Sequence, residues 1–277
     1  MRVDALRKKL CEQLFLHSDS PQLDADLILM HVLKKSRAQL LISLNDSIDE
    51  NSLKNIDDLI SRRCHGEPIA YLLGHQPFWT LDLIVTTDTL IPRPETECLI
   101  EWALENFSGK NNLDVADLGT GTGAIAIALA TEKPNWIIDA TDFSSHALMI
   151  AKENAKKYAV KNISFYEGDW FDALPHKKYD LIFSNPPYIA ENDSHLAKLQ
   201  FEPQSALVSG INGLDAILKI VNQATCFLKS GGTLIIEHGF DQADAVKLIF
   251  ENAGFKAIKN HRDLAGNNRF TTGKVST

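Results

Sequence analysis

The hydrophobic pattern at the start of the chain has the period of amphipathic helices. Val3, Leu6, Leu10 and Leu14 recur three or four positions apart, with polar residues between them. A second helix is predicted to begin at Ser20-Pro21, since serine caps helix N-termini and proline suits the first helical position. The predicted buried face of this helix comprises Leu23, Leu27, Ile28 and Val32.

Two more helices are predicted before residue 75, one over 37–44 and a longer one over 51–64. Gly66 is placed to end the longer helix. Short amphipathic helices persist only when they pack on one another. Residues 1–74 are therefore predicted to form a small all-α bundle.

The pattern then changes to strand formers. Residues 75–93 include the run 78–85, which is rich in aromatic and β-branched side chains, and a hairpin or an extended linker is expected. Pro94 is predicted to start a helix that runs from Glu95 to Phe107, with an acidic first turn that suits the helix dipole.

From residue 113 onward, predicted strands and helices alternate. This order predicts an α/β domain over 94–277, with a doubly wound, mostly parallel sheet covered on both faces. No helix separates the last two strands, so an antiparallel hairpin at one edge is expected. The predicted strands are 113–118, 136–141, 163–166, 179–184, 233–237, 255–259 and 269–272, and the helices between them are 124–130, 146–158, 214–228 and 243–252.

Composition narrows the class of protein. The chain has 277 residues, 44% hydrophobic and 23% charged, and no apolar run approaches the roughly 20 residues that a membrane-spanning helix needs. The N-terminus lacks the apolar block of a signal peptide, and the four cysteines are far apart, so a cytoplasmic location with reduced thiols is expected. Neither the cysteines nor the histidines show metal-ligand spacing, and no metal site is expected.

The formal net charge of −8 bears on possible partners. A protein that grips a phosphate backbone usually carries a basic excess. Stable binding to nucleic acid is therefore not expected.

A glycine-rich loop joins the first sheet strand to its helix and is the first candidate for ligand binding. It comprises Gly119, Thr120, Gly121, Thr122 and Gly123. Glycines at this point allow a tight turn and let the backbone approach a ligand. With the following alanine, the loop also satisfies the dinucleotide fingerprint, so an NAD-type cofactor stays open on the loop alone.

Acidic residues at the ends of the next two strands favour a different cofactor. Asp142 can accept hydrogen bonds from both hydroxyls of a ribose, which serves NAD and S-adenosylmethionine alike. Asp169 is well placed to accept from an adenine amino group, and Trp170 offers a flat surface beside the ring, although it would pack equally well in a core. Together these positions favour S-adenosylmethionine.

The segment Asn185-Pro186-Pro187-Tyr188 follows an apolar strand at the end where open parallel sheets bind ligands. It resembles the Asn/Asp-Pro-Pro-Tyr signature of amino methyltransferases. An amide nitrogen is a poor nucleophile, and the Asn185 side-chain oxygen with the Pro186 carbonyl can hold both amide hydrogens and stabilise the charge that develops. The prolines fix the backbone, and Tyr188 can stack on the planar group.

The whole chain resembles the release-factor glutamine methyltransferases, the HemK/PrmC family. The resemblance is carried by the glycine loop, the Asn-Pro-Pro-Tyr segment, and the segments 90–97, 234–239 and 262–267. It implies a seven-stranded Rossmann-like methyltransferase domain that uses S-adenosylmethionine. It also implies methylation of the glutamine in the Gly-Gly-Gln loop of class-1 peptide-chain release factors, gripped by the small N-terminal domain, and we expect a monomer.

The resemblance also assigns contacts. It implies that Gly119 to Gly123, Asp142, Trp170 and Asn185 contact the cofactor, while 185–188 hold the glutamine. Arg93 and Glu95 can be read as lining the channel near the methionine end of the cofactor or as a helix-starting turn. His238 and His261 have no neighbouring nucleophile and are expected to be structural.

Four other functions compete with this interpretation. A methyltransferase for glutamine in a ribosomal protein would share both loops. An adenine amino methyltransferase acting on DNA or RNA could use the same motif, but it would have to extrude its base and hold a polyanion. A non-catalytic adapter and an NAD oxidoreductase are the other two.

Overall fold

The computed structural model describes residues 1–276 and divides the chain into two compact units, Met1–His75 and the part from Gln76 onward. The first unit is all-α, as predicted. Its helices are α1 (Val3–Leu14), α2 (Pro21–Leu33), α3 (Arg37–Ile42), α4 (Glu50–Cys64) and α5 (Ile69–Leu73). Their facing apolar side chains form one core, to which Leu6, Leu10, Ile28, Leu29, Leu40 and Ile56 contribute.

The predicted buried face of α2 is partly wrong. Ile28 is fully buried, but Leu23 is 48% exposed, and the helix instead buries Asp24 and Asp26. Asp24 accepts a hydrogen bond from Arg63 of α4 at 2.7 Å, and Asp26 pairs with an arginine of α1. Since ion pairs neutralise these carboxylates, the helix can turn its acidic side inward, which a purely hydrophobic pattern does not reveal.

Strands β1 (His75–Phe78) and β2 (Leu81–Ile84) form the hairpin expected for this region. The turn places Trp79 at a positive φ of 55°. The hairpin packs on helix α8 (Ser145–Lys157), where the backbone N–H of Ile84 donates to the Asn154 side-chain oxygen at 2.7 Å. Apart from its first residue, His75, the hairpin therefore belongs with the second unit.

The second unit contains a seven-stranded sheet with the strand order β5-β4-β3-β6-β7-β9-β8. Its strands are β3 (Asp114–Leu118), β4 (Ile137–Asp142), β5 (Ile163–Glu167), β6 (Tyr179–Ser184), β7 (Leu228–Glu237), β8 (Lys256–Arg262) and β9 (Asn268–Lys274). The first five are parallel, and β9 lies antiparallel between β7 and β8. The doubly wound α/β class and the terminal edge hairpin are confirmed.

Helices cover both faces of this sheet. The remaining helices are α6 (Glu97–Asn106), α7 (Ala124–Glu132), α9 (Asp215–Ala224) and α10 (Ala243–Asn252). The predicted start of α6 is wrong, because a 3-10 turn, Pro94–Thr96, precedes it. Alternate residues of one strand face opposite sides, so Leu181 and Phe183 of β6 join one apolar core and Ile182 joins the other.

No helix within residues 1–276 has both the length and the apolarity needed to span a bilayer.

Candidate active site

A cavity of about 470 Å³ opens at the carboxyl ends of β3, β4, β5 and β6. This is the edge of a parallel sheet where ligands are expected, because the connecting loops leave a crevice there. Most of the residues predicted to bind ligands line it, namely Gly119, Thr120, Gly121, Thr122, Asp142, Asp169, Trp170, Asn185 and Pro187. Gly123, Pro186 and Tyr188 do not line it.

The glycine loop and Trp170 form one wall of the cavity. Gly119 and Gly121 have positive φ values of 72° and 56°, a conformation that other residues adopt at a cost. A Cβ on Gly119 would lie 2.8 Å from the Trp170 ring, so the indole packs directly on this glycine. At Gly121, a Cβ would meet no protein atom within 4 Å, so there the backbone is open to a ligand.

Asp142 lines the cavity beside the glycine loop, and two backbone N–H groups hold its carboxylate in place. Its Oδ2 accepts from the N–H of Gly121 at 2.8 Å, and its Oδ1 accepts from the N–H of Ser144 at 2.9 Å. Burial raises the pKa of this carboxyl, and the backbone hydrogen bonds oppose the rise. Each oxygen keeps a lone pair with which it can accept from a ligand hydroxyl.

Asp117 was not assigned a role from the sequence, yet it lines the same cavity at the end of β3. It is 1% exposed and accepts from the Thr120 hydroxyl at 2.6 Å, while its Oδ1 has no hydrogen-bond partner within residues 1–276. Burial raises its pKa to about 7. Its position two residues before Gly119, the first residue of the glycine loop, was the signal that could have identified it.

Asp169 lies at the cavity in an ion pair with Lys219 of α9. The lysine ammonium engages Oδ2, and both side chains are about two-fifths exposed. Trp170, the next residue, has a φ of 50°, which is uncommon for a residue other than glycine. The pairing of Asp169 could not be read from sequence spacing, because Lys219 lies 50 residues away along the chain.

The Asn-Pro-Pro-Tyr loop follows β6 and brings an unusual polar atom to the cavity. The Asn185 Nδ2 donates to the Thr96 hydroxyl at 3.2 Å, but Asn185 Oδ1 is buried without a hydrogen-bond partner in the described chain. Leaving such an atom unpaired costs about 1–3 kcal/mol. A ligand that donates a hydrogen bond at this point would recover that cost.

Tyr188 lies apart from the cavity lining. Its ring packs with the core beneath β6 and β7, and its hydroxyl donates to Glu237 Oε1 at 3.3 Å. Burial and the neighbouring Glu237 raise the pKa of the phenol. Its predicted stacking on the methyl acceptor stays a prediction.

Thr96 and Glu237 are functional candidates that the sequence did not single out. Thr96 is 4% exposed at the end of the 3-10 turn, and Glu237 is 1% exposed at the end of β7. Burial raises the pKa of Glu237 to about 7, while Thr96, Arg269 and Tyr188 oppose the rise. Glu237 ends a sheet strand, as the predicted ligand-binding acids do, and that position was the available signal.

Arg93 and the two histidines are held by structural contacts. Arg93 pairs with the buried Glu202, which also accepts from the backbone N–H of Ile91 at 3.1 Å. His238 is fully buried between Gly239 O and the Thr271 hydroxyl, and His261 stacks on Phe270 at 4.5 Å between ring centroids. None of these three lines the cavity.

The doubly wound sheet, the glycine loop and the Asn-Pro-Pro-Tyr loop at one edge define a Rossmann-like methyltransferase. The family model "Methyltransferase small domain" matches residues 96–206, and the model "PrmC N-terminal domain" matches residues 5–74. A methyltransferase structure from Pyrococcus furiosus shares the fold at 17% identity, with a TM-score of 0.56 over 83% of this chain and all of that one.

Curated relatives give the particular family. The release factor glutamine methyltransferase of Coxiella burnetii is 48% identical over 95% of this chain and 95% of its own length. The protein of the same name from Aliivibrio fischeri is 43% identical over 99% of this chain and 98% of its own length. The chain belongs to the release factor glutamine methyltransferase family, and the resemblance seen in the sequence is confirmed.

Proposed function

We propose that this enzyme transfers a methyl group from S-adenosylmethionine to the side-chain amide nitrogen of the glutamine in the Gly-Gly-Gln loop of class-1 release factors. The observation that carries the proposal is the buried, unpartnered Oδ1 of Asn185, a residue that lines the cavity. A primary amide donates two hydrogens, so a glutamine side chain supplies the missing donor. The names of the curated relatives support the same substrate.

The cavity walls fit this cofactor. The open side of Gly121 lets the backbone approach a ligand, and Asp142 retains lone pairs for the two ribose hydroxyls. We expect Asp169 Oδ1 to accept from the adenine amino group, since Lys219 takes Oδ2, and Trp170 to lie against the ring. When bound, the cofactor supplies a methyl group carried on a positively charged sulfur.

The Asn-Pro-Pro-Tyr loop, or acceptor loop (residues 185–188), then orients the amide nitrogen for methyl transfer. We expect Asn185 Oδ1 to accept one amide hydrogen and the Pro186 carbonyl to accept the other. These contacts orient the nitrogen lone pair and stabilise the positive charge that develops on it, and the rigid prolines hold both acceptors in place beforehand. Transfer would break the sulfur–carbon bond and leave the cofactor as a neutral thioether. The methylated nitrogen then loses its extra proton to water, so the chain needs no strong base.

The N-terminal unit is proposed to dock the release factor. It has its own apolar core, and residues 5–74 match the N-terminal family model. Its surface exposes large apolar side chains that the core does not use, including Phe15 (73% exposed), Leu16 (86%) and Ile42 (86%). Exposed apolar groups of this kind are suited to a protein partner.

Methyl transfer from labelled S-adenosylmethionine tests the function. A purified release factor, its Gln→Ala variant, isolated ribosomal proteins and duplex DNA are offered as acceptors in parallel. We expect label on the wild-type release factor only. Label on a ribosomal protein or on DNA instead would reject the substrate, and label nowhere would reject catalysis.

Substitution of Asn185 tests the mechanism. Asn185→Ala should leave cofactor affinity within about threefold and lower kcat by about 100-fold or more, as for loss of a preorganised acceptor. Calorimetric titration and steady-state kinetics separate the two effects. A kcat close to that of the wild type would contradict the role given to Asn185.

A further inference from the structure

Three buried or half-buried polar side chains, each from a different segment, belong to the acceptor loop or bond to it. Thr96 ends the 3-10 turn before α6, Glu237 ends β7, and Asn185 follows β6. Thr96 and Glu237 are 4% and 1% exposed. Burying polar groups this deeply costs free energy unless they form hydrogen bonds. The hydrogen bonds that these side chains make are therefore informative about their role.

The Asn185 amide has two chemically different ends, and its orientation decides what it can do. Only Oδ1 can accept a hydrogen bond from a substrate amide. If Nδ2 faced the substrate, two N–H donors would oppose each other and no hydrogen bond would form. Here Nδ2 donates to Thr96 Oγ1 at 3.2 Å, so Oδ1 is the end left without a hydrogen-bond partner in the described chain, on a residue that lines the cavity. The Thr96 hydroxyl therefore selects the productive orientation, provided that its oxygen acts as the acceptor.

Glu237 explains why the Thr96 oxygen accepts a hydrogen bond from Asn185 and does not donate one to it. A hydroxyl that accepts from Asn185 must place its own proton on another acceptor, and the neighbouring carboxylate is suited to take it. Hydrogen bonding by Thr96 opposes the rise that burial causes in the pKa of Glu237. Glu237 Oε2 has no hydrogen-bond partner within residues 1–276, so its lone pairs remain available to accept the Thr96 proton.

The same carboxylate holds the other end of the acceptor loop. Glu237 Oε1 accepts from the Tyr188 hydroxyl at 3.3 Å. Arg269, held by Asp263 at 3.1 Å, adds a positive charge that favours the ionised form of Glu237. One buried acid thus contacts Tyr188 directly and keeps an oxygen that can accept the proton of Thr96, the residue that holds Asn185.

We propose that Thr96 and Glu237 are positioning residues that turn the Asn185 amide so that its oxygen faces the methyl acceptor, while Glu237 also anchors Tyr188. This inference rests on the proposed function. It adds two residues that touch neither the transferred methyl group nor the acceptor nitrogen. We expect loss of either residue to lower the rate of methyl transfer more than the affinity for substrate or cofactor. A wrongly oriented Asn185 amide leaves the rest of the cavity lining unchanged.

Thr96→Val and Thr96→Ser form a matched pair for the test. Valine keeps the shape and removes the hydroxyl, whereas serine keeps the hydroxyl. With a release factor as substrate, Thr96→Val should lower kcat about tenfold or more, with the KM for release factor changed by less than about threefold, and Thr96→Ser should restore most of the rate. Since Thr96 also borders the cavity, cofactor affinity is measured by titration for each variant.

Glu237→Met and Glu237→Gln provide a second pair should Thr96→Val fold poorly. Methionine cannot accept the Thr96 proton, whereas glutamine retains an acceptor oxygen. Replacing a desolvated acid with an apolar side chain need not destabilise the fold. We expect kcat to fall in the methionine variant and to recover at least partly in the glutamine variant.

The outcomes separate this inference from the proposed function. If Asn185→Ala abolishes transfer while Thr96→Val and Glu237→Met keep kcat within about twofold, the positioning role is wrong and the function stands. An equal loss in the valine and serine variants would also overturn it, because the hydroxyl would not be the cause. Failure of the wild-type enzyme to methylate any release factor would instead reject the function itself.

Discussion

At the scale of single residues, the shape of the cavity depends on glycines that differ in what surrounds them. Gly119 and Gly121 both have positive φ, but only Gly119 packs on another side chain, the Trp170 ring. The backbone strain is therefore similar at the two positions, whereas the steric conflict is confined to one. Alanine substitutions at these two positions should therefore differ in their effect on folding stability, whereas both should weaken ligand binding.

Gly119→Ala and Gly121→Ala should consequently behave differently. The Cβ at 119 would lie 2.8 Å from the indole, so we expect a lower thermal midpoint and weaker cofactor binding. At 121 the new methyl group would enter open space, so we expect weaker cofactor binding with a smaller loss of stability. Thermal unfolding and calorimetric titration check both variants; a larger loss of stability at 121 would contradict this account.

Buried acids at the site make stability depend on pH. Burial raises the pKa of Glu237 from its ordinary value of 4.5 to about 7 in the folded chain, where the acid faces Tyr188, Arg269 and Glu95. Because the folded state holds this proton more tightly, its stabilising contribution is present at low pH and is lost as pH rises through about 7. The difference of about 2.5 in pKa corresponds to a loss on the order of 3 kcal/mol.

Glu237→Gln should remove that loss. The stability of the variant relative to the wild type should be higher at about pH 8 than at about pH 4.5, since the other titrating groups largely cancel in the comparison. Denaturant unfolding of both proteins at the two pH values measures it. A stability difference that is the same at both pH values would show that the pKa of Glu237 is not raised.

Residue types and strand ends were sufficient to predict ligand-binding residues that mostly line the cavity, from Gly119 to Pro187. They were not sufficient for Thr96, because its importance comes from a contact with Asn185, 89 residues away along the chain. For Glu237, the position at the end of β7 was the one signal, and its bond to Tyr188 could not be read from the sequence. The Asp169–Lys219 pair was missed for the same reason.

At the scale of elements, one buried asparagine links the hairpin to the glycine loop. Asn154 of α8 accepts from the N–H of Ile84 and donates to the carbonyls of Ile84 and Thr122, both at 3.0 Å. It is fully buried. The β1–β2 hairpin and the glycine loop are therefore fixed to the same helix, although periodicity alone only suggested a hairpin or a linker.

Asn154→Ala should cost about 2–3 kcal/mol of stability, because it leaves buried backbone groups without partners. Asn106→Ala is the matched control, since Asn106 is exposed at the end of α6 and makes one hydrogen bond, to Trp102 O. We expect that control to change stability by less than about 0.5 kcal/mol. Equal effects in denaturant unfolding would argue against the linking role of Asn154.

The hydrophobic pattern predicted the type of each element, helix or strand, better than its buried face or its first and last residues. The alternation of strands and helices gave the sheet and its edge hairpin, since these follow from chain connectivity. It misjudged α2, where Asp24 and Asp26 are buried in ion pairs with arginines of other helices. It also placed the start of α6 too early, at a turn of 3-10 geometry.

At the scale of the whole molecule, the two units divide the proposed work. Every residue that lines the cavity belongs to the second unit, whereas the exposed apolar side chains Phe15, Leu16 and Ile42 belong to the first. Cofactor binding and docking of the release factor should therefore be separable.

Deleting residues 1–74 should leave the affinity for S-adenosylmethionine within about threefold and weaken release-factor binding by at least about tenfold, or roughly 1.4 kcal/mol. Calorimetric titration of the cofactor also reports whether the shortened chain is folded. Undiminished affinity for the release factor would show that the first unit is not the docking domain.

The position of the methyl group on the product tests the central claim most directly. A release factor incubated with the enzyme and S-adenosylmethionine is digested, and its Gly-Gly-Gln peptide is sequenced by mass spectrometry, with the Asn185→Ala enzyme as the control. We predict one added methyl group on the glutamine side chain with the wild-type enzyme and almost none with the variant. A methyl group on another residue, or equal modification by both enzymes, would contradict the account.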